Sequence, residues 1–88
     1  MQERKLTIMN RLGLHARAAA KLVTLASRYA SNVMLVANGR RANARQFIAV
    51  LMLSAGMGTV VSIQVNGPDE SEAMRAVARL ISNGFGEG

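Results

Sequence analysis

Eighty-eight residues provide for one core, and with half of them hydrophobic but only three aromatic that core must be aliphatic. The absence of cysteine excludes disulfides and thiolate metal sites, and one histidine with five acids leaves no metal-ligand cluster to assemble. A net charge of +6 suits nucleic acid, an anionic membrane surface or an acidic protein, and the lack of base-stacking aromatics favours the protein. The first residues carry charge with no apolar leader behind them, and the apolar run over 47–53 is too short to span a bilayer. The expectation is therefore a soluble, cytoplasmic monomer that binds an acidic protein surface, without nucleic acid or membrane insertion.

Residues 5–9 alternate, with Leu6 and Ile8 on one face, and predict a first strand. Residues 10–14 break the pattern, and Gly13 supplies a backbone able to turn sharply. From Ala16 onward apolar residues recur at Ala19, Leu22, Val23, Ala26 and Tyr29, the stripe of an amphipathic helix over 16–29. Asn32 closes the break that follows, and residues 33–37 predict a second strand. It runs into Asn38-Gly39, the strongest short hairpin signal, because both central residues of a type I′ turn take positive φ. Residues 40–43 return as a short polar strand suited to a sheet edge.

Residues 45–53 predict a short helix, with strand as the alternative that their apolar and β-branched side chains leave open. Phe47, Ile48, Val50, Leu51, Met52 and Leu53 are too many apolar residues for one face. Either some are exposed, or all pack inward and beneath loops. After the glycine loop at 55–58, residues 59–66 alternate cleanly, with Val61, Ile63 and Val65 on one face. Gly67-Pro68-Asp69-Glu70 opens the last helix, with proline in its first turn and acids at its positive end. Its predicted buried stripe is Ala73, Ala76, Val77, Leu80 and Ile81, leaving Arg75 and Arg79 on a solvated face. Gly84 is a natural residue just past a helix end, and residues 86–88 are expected to fray. The order βαββαβα predicts an α+β fold, a two-layer open-faced sandwich in one domain over residues 1–88. Three helices cover one face of a four-stranded antiparallel sheet.

The lone histidine, His15, falls where the loop turns into the first helix, at or beside the N-cap. The first-turn N–H groups of Ala16, Arg17 and Ala18 are unpaired there and the helix dipole is positive, so a dianion on the imidazole would find donors in place. The Arg17 guanidinium can fork onto phosphate oxygens. Imidazole is in part neutral near neutral pH and attacks without a base to strip its proton. Phosphoryl transfer, moreover, needs positioning and charge neutralisation more than covalent help. Spacing alone leaves a blander reading open, a surface or capping histidine without chemistry. No glycine pattern here cradles a nucleotide, and no cofactor is implied.

Gly13-Leu14-His15-Ala16-Arg17 followed by a helix of small residues closely resembles the active-site motif of the HPr family, the histidine phosphocarriers of the bacterial phosphoenolpyruvate-dependent phosphotransferase system. The likeness covers nearly the whole chain. Asn83-Gly84-Phe85 and the run over 48–53 are more similar to NPr, the nitrogen-branch paralogue. The resemblance implies the same sandwich fold, phosphorylation of His15 through Nδ1, and Arg17 as phosphate partner. It implies a phosphoryl group taken from phospho-Enzyme I and passed to a histidine of an enzyme II A-type component. Partner docking is then expected beside the histidine, through Phe47, Ile48 and Leu51 of the short helix and Ala20, Lys21 and Thr24 of the first. Two departures stand out. Ala18 replaces the family's usual proline, which keeps the helix and adds an N–H donor. Gln46 replaces a serine that is a kinase target in some members, which removes that switch. The competing function is a basic α/β module that binds nucleic acid or an acidic protein, with His15 incidental.

Overall fold

The computed structural model describes residues 1–87. The chain runs β1 (Gln2–Thr7), α1 (Ala16–Ala26), β2 (Asn32–Ala37), β3 (Arg40–Asn43), α2 (Phe47–Leu51), β4 (Val60–Asn66) and α3 (Glu70–Ser82), then a 3-10 turn over Gly84–Gly86. The strands form one antiparallel sheet in the order β1-β4-β2-β3. This is the α+β open-faced sandwich that the element order predicts. No helix among the described residues is long and apolar enough to cross a membrane.

Register explains the core. Val65 pairs with Val33 and Ile63 with Leu35, so the alternating residues of the two central strands point together to one face, where all four are wholly buried. The helices close over that face with Ala18, Ala19, Leu22 and Ala26 of α1 and Ala73, Met74, Val77 and Ile81 of α3. Each fully buried valine, leucine, isoleucine or methionine among these contributes roughly 1.5–3 kcal/mol, an alanine methyl less. The contacts of α1 with other elements are chiefly with α2 and α3, and its alanines Ala18, Ala19 and Ala26 are wholly buried. The hairpin forms as expected, with Asn38 and Gly39 at φ 52 and 75 and Ala37 opposite Arg40.

Several boundaries differ from expectation for local reasons. β1 begins at Gln2, not at residue 5, because an edge strand needs only its backbone ladder to β4 and tolerates exposed Glu3, Arg4 and Lys5. α1 stops at Ala26 and does not reach Tyr29. The Ser27 hydroxyl donates to the Val23 carbonyl (2.8 Å), and the N–H groups of Arg28 and Tyr29 reach back only three residues to Leu25 and Ala26. The stretch expected to be helical over 45–53 is helical only over Phe47–Leu51, with Met52 as its C-cap, and its apolar residues divide: Val50 and Leu53 are buried, whereas Ile48 and Met52 are 65% and 54% exposed. Gln46 precedes that helix without a side-chain cap. In α3 the buried stripe includes Met74 and Ala78, with Ala76 and Leu80 on its margins, because the helix packs on β1 and β4 as well as on α1. Pro68 precedes the N-cap Asp69 and so lies outside the helix.

The expectation of fraying at the C-terminus is overturned for Gly86 and Glu87, while Gly88 lies outside the described residues. Gly84 takes φ 66 and Phe85 φ 57, which turns the Phe85 ring into the core, where it is wholly buried. An aromatic anchor of this size holds the tail down.

Candidate functional site

The loop before α1 is shaped by one close approach. At Gly13, φ 64, a Cβ would lie 2.5 Å from the Ala55 carbonyl oxygen and 2.7 Å from Gly56 Cα. Glycine alone lets the two loops meet there, and the Leu14 N–H then donates to the Ala55 carbonyl at 2.9 Å. Leu14 turns into the core, which leaves His15 at the mouth of α1.

His15 is the N-cap, with extended backbone (φ −78, ψ −179), and its carbonyl accepts the Ala19 N–H at 2.8 Å. Its side chain caps as well: Nδ1 accepts the Arg17 N–H at 3.2 Å. The N–H groups of Ala16 and Ala18 have no acceptor among the described residues, so the helix mouth keeps free donors. Arg17 is exposed, and its guanidinium likewise has no hydrogen-bond or ion-pair partner among the described residues. These groups surround an open cavity of about 960 Å³ lined by Asn10, Arg11, His15, Arg17, Lys21 and Glu87.

The other edge of the imidazole meets a residue that no sequence signal singled out. His15 Nε2 contacts Glu87 Oε2, while Glu87 Oε1 accepts from Asn10 Nδ2 at 2.9 Å. The same Asn10 amide nitrogen donates to the Gly13 carbonyl at 2.8 Å, so one buried side chain ties the loop to the tail. Asn10 first and His15 after it hold the Glu87 carboxyl below its ordinary value, with the Lys21 charge adding to this. The histidine and glutamate side chains are 26% and 17% exposed, shielded but within reach of a partner.

The docking candidates lie on two helices that pack against each other. Ala20, Lys21 and Thr24 are exposed on α1, Ile48 stands out on the neighbouring α2, and Phe47 and Leu51 are half-buried beside it. Exposed Met52, one of the apolar residues too many for one face but not among the expected docking residues, extends the apolar surface. Lys21 is less free than its exposure suggests, since Nζ donates to the Phe85 carbonyl at 2.6 Å. A shallow groove of about 430 Å³ runs from Arg17 and Lys21 past Ala20 and Thr24 to Leu80.

A family model described as the PTS HPr component phosphorylation site matches residues 2–83. The chain belongs to the HPr family. A phosphocarrier protein HPr from Cupriavidus necator is 51% identical over 88 residues, covering 100% of this chain and 99% of the relative. The crystal structure of HPr-C-His from Thermoanaerobacter tengcongensis superposes with a TM-score of 0.95 at 36% identity, covering 100% of this chain and 99% of that one. An HPr dimer from the same organism matches at a TM-score of 0.78 and 37% identity, over 99% of this chain and 100% of that one. The family fold and its phosphotransferase-system setting therefore apply to this chain. The expected monomer has a dimeric counterpart among those relatives.

Proposed function

We propose that this chain is a cytoplasmic phosphoryl relay that carries its cargo on His15 Nδ1, taking it from phospho-Enzyme I and passing it to a histidine of an enzyme II A-type component of the sugar or nitrogen branch. The observation that carries the reading is the orientation of Nδ1, whose lone pair faces the open N-terminus of α1 and is met by the Arg17 N–H. An imidazole nitrogen so placed attacks phosphorus with donors already waiting for the equatorial oxygens.

In the reaction, the Nδ1 lone pair forms the new N–P bond. The old N–P bond breaks, and its electron pair returns to the donor's ring. The Arg17 N–H, freed from Nδ1, turns to a phosphoryl oxygen beside the N–H groups of Ala16 and Ala18, and the Arg17 guanidinium neutralises charge from outside. Ala20, Lys21, Thr24, Phe47, Ile48 and Leu51 form the docking surface, an apolar centre rimmed by cations that suits an apolar pocket ringed by acids. No metal or cofactor takes part in this reading.

Intact-mass measurement after incubation with Enzyme I and phosphoenolpyruvate tests it. Wild-type protein should gain one acid-labile phosphoryl group, and His15→Ala should gain none while keeping its fold by circular dichroism. Acid-labile phosphate on the variant at the wild-type rate would overturn the assignment. Phosphorylation by Enzyme I of one branch alone would assign the branch.

A further inference from the structure

We propose that Glu87 is a positioning residue for His15: its carboxylate keeps the hydrogen on Nε2, which leaves Nδ1 as the nucleophile, and then balances the charge that transfer places on the ring. This rests on His15 being the phosphoryl carrier.

The tautomer follows from two independent contacts. The Arg17 N–H can only donate, so Nδ1 must accept. An ionised carboxylate can only accept, so Nε2 must donate to Glu87 Oε2. Both conditions select the neutral ring with its hydrogen on Nε2. The opposite tautomer would set donor against donor on one edge and acceptor against acceptor on the other.

The tail is built to deliver that carboxylate. Phe85 is wholly buried, Lys21 Nζ holds its carbonyl at 2.6 Å, and the Gly86 N–H donates to Asn83 Oδ1 at 3.1 Å. Asn10 then grips the second carboxylate oxygen. Its amide nitrogen faces two acceptors, the Gly13 carbonyl and Glu87 Oε1, which fixes the amide orientation and leaves Asn10 Oδ1 buried without a partner among the described residues. A buried acceptor is left unsatisfied so that the nitrogen can hold loop and tail together.

The charge accounting gives the carboxylate its second task. Before transfer the ring is neutral, with Nε2 protonated and Nδ1 bare. When Nδ1 bonds phosphorus and the donor nitrogen takes back its electron pair, Nε2 keeps its hydrogen and the His15 ring gains one positive charge. Glu87 faces that charge through the Nε2–H bond already in place. Passing the group onward returns the pair to Nδ1 and the ring to neutrality, with no proton exchanged in either direction. A carboxylate held through a second anchored group is the arrangement by which metal-binding histidines are oriented, where its loss costs roughly 10–100-fold.

The test uses the full chain as wild type, Glu87→Ala and Glu87→Gln. Long-range 1H–15N correlation of the His15 ring at mildly alkaline pH should show a bare Nδ1 and a protonated Nε2 in the wild type, and nitrogens moved toward the exchange average in Glu87→Ala, where only the 3.2 Å contact from the Arg17 N–H still favours that tautomer. Phosphorylation by phospho-Enzyme I should slow about tenfold in Glu87→Ala, with KM for the donor unchanged. Glutamine keeps the shape but offers one acceptor oxygen to two donors and no charge, so Glu87→Gln should be slow as well. Unchanged ring shifts in Glu87→Ala, an unchanged rate, or full rescue by glutamine would each overturn the proposal. A wild-type protein that is not phosphorylated at His15 would instead overturn the relay reading, and the ring shifts would still report whether Glu87 sets the tautomer.

Discussion

Replacing Gly13 with alanine should damage stability and transfer together, and the sizes can be worked from the loop contact. At φ 64 an L side chain costs about 1 kcal/mol before it meets anything. The new Cβ would then stand 2.5 Å from the Ala55 carbonyl oxygen and 2.7 Å from Gly56 Cα, both backbone atoms that no rotamer change can move. The loops must separate, which breaks the Leu14 N–H to Ala55 carbonyl bond, worth about 1 kcal/mol, and loosens a packed contact worth about as much. A total near 3 kcal/mol lowers Tm by about 15 °C in a domain of this size. Because Leu14 is the residue before His15, the same separation shifts the imidazole, and a displacement of about 1 Å can cost roughly 100-fold in rate. Thermal unfolding by circular dichroism and single-turnover phosphorylation below the new Tm measure the two effects. A variant within 3 °C and twofold of wild type, thresholds set at about a fifth of the expected change, would refute the reasoning.

Arg17→Ala should slow single-turnover transfer by roughly 100-fold while Enzyme I binding, read by calorimetry, stays within about twofold; a pure binding defect would reassign the guanidinium to docking. Ile48→Asp should weaken that binding about tenfold or more without lowering Tm, since the side chain is 65% exposed; unchanged affinity would move the docking surface elsewhere. The Asp69 carboxylate is held below its ordinary value of 3.8 by the Ser31 hydroxyl first and the Ala30 N–H next. Its folded pKa is thus below its unfolded one, so its stabilisation is present above about pH 4 and lost as pH falls through the folded value. Asp69→Asn should flatten the acid limb of Tm against pH, and an unaltered limb would refute the assignment.

What the sequence made legible were elements whose local and tertiary preferences agree. Alternation in β4 matches a strand buried on one face, and Asn38-Gly39 matches a two-residue hairpin, so both formed as read. Errors gathered where a side-chain hydrogen bond or tertiary packing decides. The end of α1 depends on a serine hydroxyl turning back on the helix, and the buried face of α3 depends on its packing against β1, β4 and α1 at once. In the candidate site, His15, Arg17 and the helix mouth were legible because one short stretch holds all three. Glu87 was not. An acid between glycines near a chain end reads as solvated tail, and only the burial of Phe85, many residues from the loop it serves, brings it to the histidine.

A relay must release its cargo as readily as it takes it, and the distribution of cations around His15 bears on that demand. Under the proposed function, the phosphoryl group meets free N–H donors and the Arg17 guanidinium at the helix mouth, with Arg11 on the rim of the same cavity; neither guanidinium has a partner among the described residues. Lys21, the next cation along α1, has its ammonium drawn onto the Phe85 carbonyl, and it also faces the Glu87 carboxylate. A free ammonium added to these guanidinium groups would deepen the bound state more than the transition state, in which charge is spread over the equatorial oxygens. Spending Lys21 on the tail instead keeps the phosphorylated state shallow, and it fixes in place the carboxylate that faces the other edge of the ring. Of the three cations that line the cavity, Lys21 is thus the one committed to the tail, while Arg11 and Arg17 face the open side from which a partner must come.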